Sequence, residues 1–265
     1  MPRPPSPRAV NDWICDRSVA ILLSPEEGGL YIGSAATIEV CGHYFLATAA
    51  HNLEGISARN QLRALPAGRR LDRPLYILEW NSVHKTSVGD LDVAWLEIET
   101  VSAATSATSF IPVTSVLCGM THREQTVFPV QGYPEATIDR ADVFEGVPLL
   151  CGVGVYSFSV PQSASALAFQ DGIDLLLEWP PSDLRQEDVE VPHPSGVSGG
   201  GVWHMGGDGI EWTYSDIRLV AITRAWRRES KQLVATRIEH WLRQLAEDKP
   251  YTRKEIDPIL EAFEA

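Results

Sequence analysis

His193–Trp203 reads HPSGVSGGGVW, with a serine set between Gly196 and a run of three glycines. Glycine loses more backbone entropy on folding than any other residue, so a cluster of this kind needs a geometric reason. An apolar β-run, GVW, follows directly, which argues against a floppy loop. If Ser198 attacks a carbonyl, the oxyanion that forms needs hydrogen-bond donors already in place. A sharp turn brings the N–H groups of Gly196 and Ser198 to one point, and glycine tolerates that turn. Gly199 and Gly200 then let another backbone approach closely.

Two further stretches carry chemistry. In YFLATAAHN a hydrophobic run ends in two alanines and His51. Small residues at a strand end let the chain turn and present the imidazole at a sheet rim, although a lone histidine there is more often structural. In GDLDVAWLEIE, Asp92 stands at the start of an apolar strand, where a buried carboxylate can accept the Nδ1 proton of a histidine. Asp90, next to Gly89, reads as a solvated turn acid; a contact from it to His51 would mean a different strand register.

Around these stretches the chain is rich in short β-runs. SVAILLS (18–24), LYIGSAATIEV (30–40), HYFLATAA (43–50), PLYILEW (74–80) and LDVAWLEIE (91–99) precede a Ser/Ala/Thr-rich stretch, TVSAATSATSF (100–110), expected as a linker between two lobes. TVFPVQGYP (126–134), CGVGVYSFSV (151–160), GIDLLLEW (172–179) and IRLVAIT (217–223) follow. Many short strands with Gly- and Pro-containing connections predict barrels or a sandwich. The end differs: Ile238, Trp241, Leu242 and Leu245 fall at helical spacing, and Asp257-Pro258 suits the start of a last short helix.

In order, GSAATIEVCGHYFLATAAHN, DLDVAWLEI and PSGVSGGGVW resemble the His, Asp and Ser motifs of the trypsin-like (chymotrypsin-fold) serine proteases. The resemblance covers roughly residues 17–247 and rests on three ordered motifs rather than one. It implies an all-β fold: two six-stranded antiparallel β-barrels of chymotrypsin type with a C-terminal helix. The implied divisions are an N-terminal arm (1–16), a first barrel (17–112) with the histidine and aspartate, a second barrel (113–234) with the serine, and C-terminal helices (235–265). It also implies an endopeptidase in which His51 is general base, Asp92 its orienting partner and Ser198 the nucleophile. Gly196 and Ser198 would supply the oxyanion hole. The substrate would be a protein or peptide, with a regulatory protein partner possible and no cofactor or metal. Val197 stands where zymogen-type members carry an aspartate, so activation by N-terminal cleavage is not expected.

The same alignment puts Pro192 at the base of the specificity pocket, Thr223, Arg224, Ala225 and Trp226 along one wall, and Leu233 opposite. Arg224 has three readings: a partner for Asp92, a lining residue of the substrate groove, or a sign of shifted register. Asp188 and Glu190 are alternative pocket acids. With Trp226 and Leu233 narrowing the pocket, cleavage after Lys or Arg is not expected.

Composition bounds the rest. Hydrophobic residues make up 44% and charged residues 22%, as in an ordinary globular protein. A net charge of -13 argues against nucleic acid or an anionic membrane as partner. MPRPPSPRAV lacks the apolar core of a secretory signal and is expected to be a mobile arm. Cys15, Cys41, Cys118 and Cys151 form no CxxC pair, which predicts buried free thiols, a disulfide-free framework and a cytoplasmic location. A protease-like scaffold that binds peptides without cutting them is the rival reading. An esterase of the α/β class is rejected: GVSGG mimics its nucleophile elbow, but a strand follows instead of a helix, and the histidine comes first.

Overall fold

The computed structural model describes residues 6–23, 31–56, 62–67, 74–84, 91–106, 108–120, 126–135, 153–158, 172–179, 193–206 and 213–264. Its first half is a closed barrel. Strands β1 (Ser18–Leu23), β2 (Tyr31–Val40), β3 (His43–Thr48), β4 (Leu62–Pro66), β5 (Leu75–His84) and β6 (Asp92–Ile98) pair in the order β1-β4-β5-β6-β3-β2, and β2 returns to β1. A two-residue strand, β7 (Ile111–Pro112), adds to β2 in parallel. The interior holds Val19, Ile21, Leu46, Leu62, Leu75 and Leu96, with Ala35, Ala50 and Ala64 filling narrower places.

The second sheet contains β8 (Val127–Gly132), β9 (Val153–Phe158), β10 (Asp174–Glu178), β11 (Gly201–Met205), β12 (Ile217–Arg227) and β13 (Gln232–Arg237), in the order β10-β13-β12-β11-β8-β9. Among the described residues its two ends do not form a backbone ladder. They meet through the Ser157 hydroxyl of β9, which donates to the Glu178 carbonyl of β10. The two six-stranded antiparallel barrels and C-terminal helix expected from sequence are thus present, the first barrel closed by its ladders and the second a curled six-stranded sheet whose described ends meet through a side-chain bond.

Three short elements depart from the sequence reading. Residues 7–15, expected within a mobile arm, form helix α1 (Pro7–Cys15). Ser6 caps it, Pro7 opens it, and Val10, Ile14 and Cys15 are buried. Trp13 packs edge-on against Trp203 and stacks on Tyr214, and the Arg17 guanidinium lies over its ring. The expected linker holds helix α2 (Thr100–Thr105). Strand β4 was not anticipated.

Helix α3 (Ile238–Asp248) buries Trp241, Leu242 and Leu245 in a cluster shared with Phe45, Trp95, Trp203 and Leu219, which joins both sheets. The Trp241 indole donates to the Ala94 carbonyl at 2.8 Å. Each such large side chain contributes roughly 1.5–3 kcal/mol by leaving water. The last helix, α4 (Arg253–Glu264), follows. No helix among the described residues is long and apolar enough to cross a membrane.

Candidate active site between the two sheets

Antiparallel pairing of β3 with β6 sets Thr48 opposite Ala94, so the end of one strand and the start of the other share a rim. A 3-10 turn, Ala50–Leu53, follows β3 and carries His51 on that rim. Asp92, the first residue of β6, is buried there. Its carboxylate takes two bonds from one residue: the His51 backbone N–H at 2.9 Å and the ring Nδ1 at 2.6 Å. With a carboxylate on Nδ1, that nitrogen carries the proton and Nε2 of the neutral ring is an acceptor. Asp90 lies outside the described residues.

The loop His193–Gly200 is shaped by bonds to its carbonyls. Ser195 O accepts from the Glu135 N–H at 2.7 Å. Gly196 O accepts from the Tyr31 hydroxyl at 2.6 Å and the Ser34 hydroxyl at 2.9 Å. Val197 O accepts from the Thr223 hydroxyl at 2.6 Å and the Gly200 N–H at 2.8 Å. Ser198 O accepts from the Ser34 N–H and the Asn52 amide, each at 2.9 Å. Burial pushes the Tyr31 phenol far above its ordinary pKa, so it stays protonated and remains a donor.

Because a peptide unit is planar, fixing a carbonyl aims the N–H on the other side of the same bond. The anchored carbonyls of Ser195 and Val197 therefore aim the N–H groups of Gly196 and Ser198. Neither N–H has an acceptor among the described residues. Gly196 and Gly199 both have φ of +88°, where L side chains are strained. A Cβ on Gly199 would also overlap the Ser34 carbonyl oxygen, so this residue has to be glycine for two separate reasons.

His51 and Ser198 line one cavity of about 610 Å³, together with Tyr31, Ile32, His193 and Trp226. The Ser198 hydroxyl donates to the Arg224 carbonyl at 3.4 Å, a long bond, and not to His51.

The specificity wall read from sequence needs correction. Thr223 is buried behind the Ser198 loop, as its bonds to Val197 O and Gly200 O require. Leu233 is in the second core with Val197, Val202 and Trp179. Arg224 neither pairs with Asp92 nor lines the cavity. Its guanidinium grips Asp174 through Nε at 3.0 Å and Nη2 at 2.8 Å. A bulge between Thr223 and Ala225, where β12 pairs with β13, is what turns this side chain away from the groove. Ala225, opposite Val234, does not line the cavity; Trp226 does. Pro192, Asp188 and Glu190 lie outside the described residues. Of the residues that clamp the loop, Ser34 and Asn52 lie inside the histidine motif without a role assigned from sequence, Thr223 was assigned to the pocket wall, and Tyr31 carries no motif.

The cysteines differ from expectation too. Cys15 is disulfide-bonded, whereas Cys41 and Cys118 are free. The partner of Cys15 lies outside the described residues, as does Cys151. A disulfide-free framework, and the compartment argument built on it, do not survive this bond.

No family model matches the chain, and no curated protein does. Among solved structures, the inactivated protease paralogue S-I1 of the scabies mite is similar at a TM-score of 0.57 and 14% identity, over 91% of this chain and 97% of that one. The fold is chymotrypsin-like. At that identity the likeness establishes architecture alone.

Proposed function

We propose that the chain is a serine peptidase that cleaves protein or peptide substrates through an acyl-enzyme on Ser198. The single observation that carries this reading is the Asp92–His51 pair at 2.6 Å, buried at the acid end and opening at the histidine onto the cavity that Ser198 lines. His51 Nε2 takes the Ser198 proton as Oγ bonds to the substrate carbonyl carbon. The carbonyl oxygen, now an anion, is held by the N–H groups of Gly196 and Ser198. Collapse breaks the C–N bond, and the leaving amine receives the proton from His51. Water then repeats the sequence on the ester, with His51 as base, and frees the acid.

A second reading is supported by one contact and one likeness. The Ser198 hydroxyl rests on Arg224 O rather than on His51, and the similar mite protein is an inactivated protease. In that reading the chain holds peptides without cutting them. A fluorophosphonate probe separates the two: hydrolytic function requires labelling of wild type that Ser198→Ala abolishes. An unlabelled, folded wild-type protein overturns it.

A further inference from the structure

We propose that this site selects its peptide by the residue on the leaving-group side of the scissile bond, favouring a bulky apolar one there. The proposal rests on the peptidase reading for the direction in which the peptide lies. His51 must hand its proton to the departing amine, so the leaving half lies beside His51 and the residues that follow it. Those residues are Glu54, Gly55 and Ile56, and the cavity wall continues through Ile32 and Leu23 of the first barrel. Leu23, Ile32 and Ile56 are partly buried and pack on the first core, so their faces toward the cavity are firmly supported. Glu54, exposed at this wall, disfavours an acidic residue in the same place.

On the acyl side the described residues offer a ring pair. That side is flanked by the loop before Ser198 and by the end of β12, since the Arg224 carbonyl touches the Ser198 hydroxyl. There the rings of His193 and Trp226 meet edge to face with centroids 4.4 Å apart, at an interplanar angle of 81°. Rings at that separation are in direct contact and leave no slot for a side chain between them. The Trp226 indole nitrogen is enclosed without a hydrogen-bond partner among the described residues. Among the described residues, supported apolar surface is therefore offered on the leaving-group side of Ser198, while two rings in contact stand on the acyl side.

Two measurements test this. Internally quenched peptides are varied one position at a time on wild type. Changing the residue after the scissile bond from Leu to Asp is expected to lower kcat/KM by about tenfold or more, against about threefold for changes before it. Ile56→Asp should create a new preference for Lys or Arg after the bond, which a merely damaged site would not do. The second measurement needs no catalysis: Ser198→Ala is titrated with fluorescent peptides carrying a free N-terminal Leu or Asp. Tighter binding of the Leu peptide supports the proposal, even where fluorophosphonate labelling fails and the hydrolytic reading falls. A profile dominated by the residue before the bond, or equal binding of both peptides, overturns it while leaving a labelled Ser198 untouched.

Discussion

At the scale of single residues, the Ser198 loop is shaped partly by a group behind it, and the peptidase reading makes that group a positioning residue. The Thr223 hydroxyl holds the Val197 carbonyl, and through that peptide plane it aims the Ser198 N–H. Thr223→Val keeps the volume and removes the donor. It is expected to lower kcat by about tenfold with KM unchanged, less than the loss of a whole oxyanion donor, because the Gly200 N–H remains. Thr223→Ser should restore the rate; a fall in KM-dependent binding instead would assign the residue to ground-state contact. Asp92→Asn replaces an acceptor of the Nδ1 proton with an amide and favours the wrong tautomer. A drop on the order of 10⁴ in kcat with an unchanged fold is expected, read by steady-state kinetics and circular dichroism.

At the scale of elements, β12 does two things at once. Its bulge offers the Arg224 carbonyl to Ser198 while its side chain crosses to β10. Asp174 is fully enclosed and also feels the charge of Arg227, so Arg224→Met removes its bidentate partner but not all of its positive surroundings. The substitution is expected to cost about 1.5–3 kcal/mol, measured as a shift in the denaturant midpoint. A change near zero would mean that other groups around Asp174 already balance it. Strands were legible because alternation and turn residues are local: β1, β2, β3 and β6 begin and end within a residue or two of their expected limits. That His51, Asp92 and Ser198 come together around one cavity was legible because three motifs stand in one order. Thr223, Arg224 and Leu233 were misplaced because a bulge changes which face a side chain takes, and nothing in the order of residues announces one. Helix α1 was missed because its prolines were read as arm composition, while Ser6-Pro7 is equally a helix start.

At the scale of the whole molecule, the thiols report on packing. Burial pushes the Cys118 thiol up to about 12, so at pH 8 only about one part in ten thousand is thiolate. Cys41 is also raised, by burial first and then by Glu255. Native protein at pH 8 is expected to alkylate slowly at both, with rates rising as pH climbs toward the raised values. After denaturation without reductant, mass spectrometry should find Cys41 and Cys118 labelled and Cys15 unlabelled; labelled Cys15 would refute the disulfide.

About half of the bonds that shape the Ser198 loop come from the other half of the chain. Tyr31, Ser34 and Asn52 belong to the first barrel, and they hold carbonyls of residues 196 and 198 across the divide. The second sheet alone lacks these donors, and Gly196 and Gly199 have the freedom to collapse without them. Under the peptidase reading the site is a property of the seam: any event that pries the halves apart removes the clamps on the carbonyls of residues 196 and 198 and is expected to abolish activity without altering a single residue of the loop.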